Sequence, residues 1–412
     1  MRFPYTARLV TALALGAVAL AGCGFSSEPT GGGGRSITLY GANEVGFPEA
    51  IEACNKQANG RYRIRYVVLP RTADAQRELM SRRLAAEDPD IDIVTLDIPW
   101  TAEFAEAGWI REWEGERGQR ALEGRLDGPV ETVQYEDRVW ATPFTTNTQL
   151  LFYRKDRIDQ PPETWDEMIE MAERAKTGIA VQSARYEGLS TWVNSLVASA
   201  GGQIIDENGQ PTLDQSTSRA AEIIRRIATG PAAPPGMANL EEDTSNFAFQ
   251  DGSSSFMVNY SFIYPAAAEV KGFQEKIGWA RWPRVDPNEP SRVTLGGFNL
   301  GVSAHSENPD LAFEAAECMA RPESQEIISA AGGLAPTSEE VYDSPKVKKT
   351  LPFTDLMRES LDEGAPRPIS PAYSDISLAI QKSFHPPSQI NPDQLLDDLR
   401  TRLDKAAEGK IF

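Results

Sequence analysis

Residues 36–70, SITLYGANEVGFPEAIEACNKQANGRYRIRYVVLP, change hydrophobic period twice, and the order of those changes decides the fold. SITLYG reads as a short strand. GFPEAIEACNKQ then sets Phe47, Ala50, Ile51, Cys54 and Ala58 on one stripe of a helix. RYRIRYVVLP returns to period two, with Tyr62, Ile64, Tyr66 and Val68 on one face of a half-buried strand. The pattern repeats at once: TADAQRELMSRRLAAE is a helix opened by Thr72, and DIDIVTLDI a buried strand. Strand–helix–strand order implies parallel strands joined by helical crossovers, so the fold class is α/β. In open sheets of this kind ligands bind beyond the carboxyl ends of the strands. Asp97 stands there, at the end of IVTLD.

Upstream the chain is of another kind. Arg2 and Arg8 precede an uncharged apolar run, Leu9–Leu20. It is shorter than the ~20 residues of a bilayer span and suits the core of a secretory signal. It ends in Leu20-Ala21-Gly22-Cys23, which resembles the lipoprotein box in which the cysteine is acylated after cleavage. An ordinary signal peptide with a coincidental cysteine is the alternative. The following Ser, Pro, Thr and four glycines cannot bury apolar surface, so residues 23–35 read as a tether on a lipid anchor at Cys23, outside the cytoplasm. Without residues 1–22 the 412-residue chain keeps 390 residues, enough for about two domains. Its 41 basic and 60 acidic residues give a net charge of −19, and loss of Arg2 and Arg8 takes it to −21. Such an excess repels nucleic acid and anionic lipid.

The two remaining cysteines, Cys54 and Cys318, both lie in helical patterns. In an exported protein an even pair suggests a disulfide, two buried free thiols being the alternative. A bridge would tie the first helix to one more than 260 residues later, making the first domain discontinuous. From about Thr164 to Val285 the chain is richer in helix, with a hairpin, QIIDENGQPTLD, turning on Asn208-Gly209. The last third returns to strand in VTLGGFNLGVSA and closes in helices. There is no internal repeat.

Most enzyme classes find little support. The only histidines are His305 and His385, and no cysteine pair has metal spacing, so neither a metal nor another cofactor is expected. The glycines at 31–34 lack the Lys-Ser/Thr of a phosphate loop, so ATP would be spent by another protein. A Gly-x-Ser-x-Gly elbow is absent. A secreted glycoside hydrolase working through paired carboxylates remains the enzyme alternative. A different constellation suits recognition of a neutral sugar: Asp, Glu, Asn and Arg for hydroxyls, with aromatic faces for the C–H side. Such residues cluster in GANE, VLPRTADAQR, LDIPW, FTTNTQLLFYR, RYEGL, VNYSFIY, LGGFNLG and PRPISP.

With these segments in register, the chain resembles the extracellular solute-binding proteins of bacterial sugar importers. It is most like the trehalose- and trehalose/maltose-binding lipoproteins of actinobacteria and thermophilic archaea. FAFQDGSSSFMVN carries the family's Phe-x-x-Gly-x-x-x-x-Met pattern at Phe249, Gly252 and Met257. LDIPWTAEFAEAGWI, TTNTQLLFYRKD, PPETWDEM, VTLGGFNLGVS and RPISPAY follow the trehalose branch in wording and order. The cysteine pair resembles that of mycobacterial relatives.

The resemblance implies a two-lobed periplasmic-binding-protein fold with hinged, discontinuous lobes. Residues 36–145 and 300–343 would form the first lobe and 146–299 and 344–412 the second, with Cys54 and Cys318 in one lobe. It implies a monomer that captures an α-linked disaccharide, trehalose first and maltose or a related sugar next. The partners would be two permease subunits and an ATPase.

Carried over residue by residue, Glu44 and Arg71 would reach hydroxyls from the first lobe and Asp97 would accept two. Asn147 stands where archaeal relatives have aspartate, and Thr145 where they have tyrosine. Glu187 is a further acceptor. Tyr260 and Phe298 replace tryptophans, Gly297 offers backbone, and Arg367 is presented between Pro366 and Pro368. Each has a plainer role available: Asp97 and Glu187 as helix caps, Glu44 as a solvated acid, Arg71 and Arg367 as surface ion pairs, Tyr260 and Phe298 as core aromatics.

Overall fold

The structure, a computed structural model, describes residues 34–206 and 209–407. The signal peptide, Cys23, all but the end of the tether, and Asn208 of the expected hairpin turn lie outside those residues. Strands β1 (Arg35–Gly41), β2 (Tyr62–Val68) and β3 (Ile93–Asp97) pair in parallel, with β1 between the other two. The crossovers are helices Phe47–Gln57 and Ala73–Ala85, as the period changes require. Phe47, Ala50, Ile51 and Cys54 are the buried residues of the first helix. The alternation of β2 holds at Tyr62 and Ile64 but fails at Val68, which is 51% exposed. β2 is an edge strand, and the partner of Val68 across the ladder is Gly41, which has no side chain to cover it.

Three later strands return to this sheet. β4 (Thr142–Asn147) and β9 (Gly296–Val302) join it antiparallel, followed by β10 (Ala335–Pro336), giving the order β10–β4–β9–β3–β1–β2. Between them β5 (Leu150–Arg154), β6 (Gly178–Ala180), β7 (Ser254–Asn259) and β8 (Ile277–Ala280) form a second sheet, β8–β5–β7–β6. Two residues separate β4 of one sheet from β5 of the other, so the chain passes between sheets in a single step. The flanks of the expected hairpin pair, through an Ile205–Pro211 bridge and the Asp206 amide donating to Gln210 O.

Both faces of each sheet are covered. Helices Phe47–Gln57 and Pro309–Ala320 pack on the six-stranded sheet through Phe47, Ile51, Phe313 and Ala316, and Cys54 and Cys318 are joined there with their Cα atoms 5.9 Å apart. Trp100, Phe104, Met80 and Leu84 cover its other face. The four-stranded sheet carries helices Trp165–Ala175, Glu187–Ser199, Gln215–Thr229, Tyr373–Phe384 and Pro392–Ala407 around Trp165, Trp192 and Phe384. Apolar burial at about 25 cal/mol per Å² makes these layers the main source of stability. Tyr373 departs from its own helix's core and packs with Tyr40, Trp100 and Phe104, a side chain that bridges the two sheets' sides.

Candidate functional site

β3 delivers Asp97 to its carboxyl end, and the antiparallel strands place other candidates beside it. Phe298 of β9 lies opposite both Asp97 and Thr145, Gly297 opposite Thr146, and Gly296 opposite Asn147. Gly297 has φ +112°, and a Cβ there would sit 2.3 Å from Thr145 O, so glycine alone fits and the backbone comes unusually close. Thr145 is buried, and its Oγ1 accepts from the Phe298 amide at 3.3 Å. Phe298 is partly buried against the core of the six-stranded side. The Asn147 Oδ1 is buried with no hydrogen-bond partner.

Around Asp97 an ionic knot forms. The Arg367 Nη2 donates to Asp97 Oδ1 at 2.5 Å and Nη1 to Oδ2 at 3.3 Å, while Nη1 also donates to Glu187 Oε1 at 2.5 Å. Asp97, Glu187 and Arg367 are 8%, 7% and 4% exposed, so charge here is paired away from water. Asp97 occupies the cap position of the short turn Ile98–Trp100, but its side chain makes no cap bond and is given to Arg367. Arg367 is no surface charge. Glu187 heads its helix, and its carboxylate accepts from the Tyr373 hydroxyl and, at 2.5 Å, from Ser377 Oγ. Its amide donates to Asp74 Oδ2 at 3.2 Å, from a helix on the six-stranded side. Burial pushes the Glu187 carboxyl upward; Arg367 opposes this, while Asp97 and Asp74 add to it.

A second cluster gathers Glu44, Arg71, Glu242 and Asp243. Arg71 is exposed and pairs with Asp243, at the head of the helix Glu242–Gln250. Glu44 is half-buried, and its carboxyl is pushed up to about 7 by burial, with Arg71 pulling it down and Glu242 pushing it further up. Tyr260 follows β7, half-buried, with its hydroxyl pushed well up by burial and then by the charge of Glu242. The charges of Asp97, Glu187 and Arg367 act on it as well, so it sits within reach of both clusters.

The structure thus interlocks Asp97, Glu187 and Arg367, sets Asn147, Gly297 and Phe298 in register beside them, and groups Glu44 and Arg71 apart, with Tyr260 between. Sequence reasoning missed Asp74, Glu242, Asp243, Tyr373 and Ser377 as parts of this assembly. Asp74 and Tyr373 stand in segments already singled out, VLPRTADAQR and RPISPAY, whereas acids at the start of a helix, such as Glu242 and Asp243, are ordinary dipole partners and carry no separate signal. Among the described residues no group of three or more His, Cys, Asp or Glu is arranged to hold a metal ion, and no helix is long and apolar enough to cross a membrane.

Residues 49–353 match the family described as bacterial extracellular solute-binding protein. A probable ABC transporter-binding protein of Deinococcus radiodurans is 25% identical over 382 residues, covering 85% of this chain and 89% of its own. A maltotriose-binding protein of Pyrococcus abyssi is 23% identical over 359 residues, with coverage of 83% and 76%. Among solved structures, maltose-bound MalE3 of T. maritima superposes with a TM-score of 0.82 at 26% identity, over 90% of this chain and 99% of its own. The likeness shows a two-lobed periplasmic-binding-protein fold.

Proposed function

The chain belongs to the bacterial extracellular solute-binding proteins, and from that premise we propose that it captures an α-linked disaccharide between its lobes and hands it to an ABC importer. Membership implies a place outside the cytoplasm and a role in binding a solute rather than transforming it. Trehalose is the first expected ligand, with maltose or a related sugar next. Two permease subunits and an ATPase would complete the importer, with an acylated Cys23 holding the monomeric binding protein at the membrane. The six-stranded sheet would belong to one lobe and the four-stranded sheet to the other.

The observation that carries this reading is the meeting of Asp97, Arg367 and Glu187 from three separate parts of the chain, beside Asn147, Gly297 and Phe298. A sugar hydroxyl both donates and accepts, so a site with fixed carboxylates, a guanidinium and close backbone can take adjacent hydroxyls in pairs. Ligand contact with both lobes would favour the closed form, since closure follows only from differential affinity for it. The hydrolase alternative has less behind it, because Asp97 and Glu187 are both engaged by one guanidinium and neither is left to give a proton to a leaving group.

Calorimetry against trehalose, maltose, sucrose and maltotriose tests the reading. Binding of trehalose tighter than millimolar is expected, and failure of all four to reach that level would overturn it. Release of glucose on prolonged incubation with trehalose or maltose would instead favour the hydrolase.

A further inference from the structure

The Asp97–Arg367–Glu187 knot divides its labour: we propose that Glu187 is a positioning residue that aims Arg367 at Asp97 and the sugar, and that Tyr373 and Ser377 fix Glu187 for that task. This rests on the sugar-binding reading above and assigns roles within the same site.

A carboxylate offers about four lone-pair sites. Those of Glu187 are largely taken: Oε1 accepts from Arg367 Nη1 and the Tyr373 hydroxyl, and Oε2 from Ser377 Oγ. With the side chain buried, little capacity is left for a sugar hydroxyl. Tyr373 and Ser377 are four residues apart, on one face of the helix Tyr373–Phe384. Ser377 has one hydrogen, and its other contacts leave that hydrogen free for Glu187. Its Oγ accepts from Gln381 Nε2 at 3.1 Å, and Ser190 Oγ lies 2.7 Å from it; with the Ser190 hydroxyl donating to Ser377 Oγ, the Ser377 hydrogen goes to Glu187.

The unfilled valences lie elsewhere in the site. Arg367 Nε and Asn147 Oδ1 are both buried without a hydrogen-bond partner, one a donor and the other an acceptor. An orphaned buried polar group is costly, and a hydroxyl-bearing ligand relieves it. Arg367 is therefore the group that meets sugar. Glu187 acts through it, holding the guanidinium so that less order is lost on binding.

A double-mutant cycle on trehalose affinity, by calorimetry on the soluble mature protein, tests this. Glu187→Gln alone should weaken binding about tenfold, as loss of a charge-assisted bond does. In an Arg367→Lys background the same change should cost less than about twofold, because the group it aims is gone. Equal losses in both backgrounds would mean that Glu187 touches sugar itself and would overturn the proposal.

Should Arg367→Lys not fold, Tyr373→Phe combined with Glu187→Gln forms a second cycle. Losses that merge support the relay and additive losses overturn it. Ser377→Thr, which keeps the hydroxyl, should bind within about twofold of wild type while Ser377→Ala loses severalfold; equal loss in both would remove Ser377 from the relay. If the wild-type protein binds none of the four sugars, the functional reading fails separately. The Glu187–Tyr373 cycle is then read from melting temperatures of ligand-free protein, where additive shifts overturn the arrangement and merged shifts support it.

Discussion

Arg367 and Arg71 both reach carboxylates distant in sequence, under opposite conditions of solvent. The Arg367 side chain is 3% exposed and holds two carboxylates, Asp97 and Glu187, at 2.5 Å each. The Arg71 side chain is 73% exposed, and its partner Asp243 is 34% exposed. Where water is excluded, a charge pair interacts several times more strongly than at the surface, but each ion has given up its hydration to be there. The buried arginine is consequently indispensable once its partners are buried with it. The exposed one competes with water and salt at every moment. The proposed sugar site would therefore have a rigid end, built around β3 and the Pro-Arg-Pro segment, and a wet end, built from the loop after β1 and the head of the helix Glu242–Gln250.

The sharpest way to break that contrast is Arg367→Ala. It strands Asp97 and Glu187 as buried, unpaired acids and should cost about 3–5 kcal/mol of stability, read from urea unfolding. Calorimetry on the folded fraction should show trehalose binding lost. A cost below about 1 kcal/mol would erase the distinction between the two ends.

The Cys54–Cys318 bridge probes a region outside the cleft altogether. It joins residues 264 apart within the packing of the six-stranded side. The Cys54→Ser, Cys318→Ser double variant should lose about 2–4 kcal/mol through a less constrained unfolded chain. Its trehalose affinity should stay within about twofold, because both cysteines are buried in the core packed on the six-stranded sheet, away from Asp97 and Arg367. A large fall in affinity would mean that the bridge shapes the cleft.

The rigid end was more legible in the sequence than the wet end, for a physical reason. Asp97 could be placed because a strand end in a parallel sheet is a fixed address, and the register of β3, β9 and β4 carries Phe298, Gly297 and Asn147 there with it. Arg367 was marked by its flanking prolines. What periodicity does not encode is which distant acid an arginine chooses. The pairing of Arg71 with Asp243 depends on how segments of the two sheets' sides meet, and the hold of Tyr373 and Ser377 on Glu187 on how two helices distant in sequence pack against one another. The exposure of Val68 escaped for the same kind of reason, since alternation gives a strand's faces but not its place at the sheet edge.

The wet end should respond to pH. Glu44 is raised from 4.5 to about 7, first by burial and then by Glu242, with Arg71 opposing both; the Tyr66 hydroxyl also lies near and donates to Ala42 O. If Glu44 lies on the proposed closing surface, opening would return water to it and separate it from Glu242, and the closed form would bind the proton more tightly than the open form. Affinity should therefore rise as pH falls through 7 and level off near 4.5, where both forms are protonated. One proton sets a ceiling of about tenfold per pH unit, and partial solvent access keeps the slope below it. Glu44→Gln should flatten this part of the profile. A profile with the opposite slope, or one unchanged in the variant, would remove Glu44 from the closing surface.

Arg71→Ala carries the smallest expected effect and completes the contrast. An exposed ion pair contributes about 0–1 kcal/mol, because water competes for both partners and ordering two long side chains costs entropy. Thermal unfolding should shift little, and what shift there is should shrink in 0.5 M salt as the charges are screened. Trehalose affinity is the more informative reading. If Arg71 reaches a sugar hydroxyl, affinity falls severalfold while stability stays put, since the ligand supplies the desolvation that the free protein lacks at this end. If both stay unchanged, Arg71 serves only Asp243, and the cleft recognises its sugar from the Asp97–Arg367 end alone.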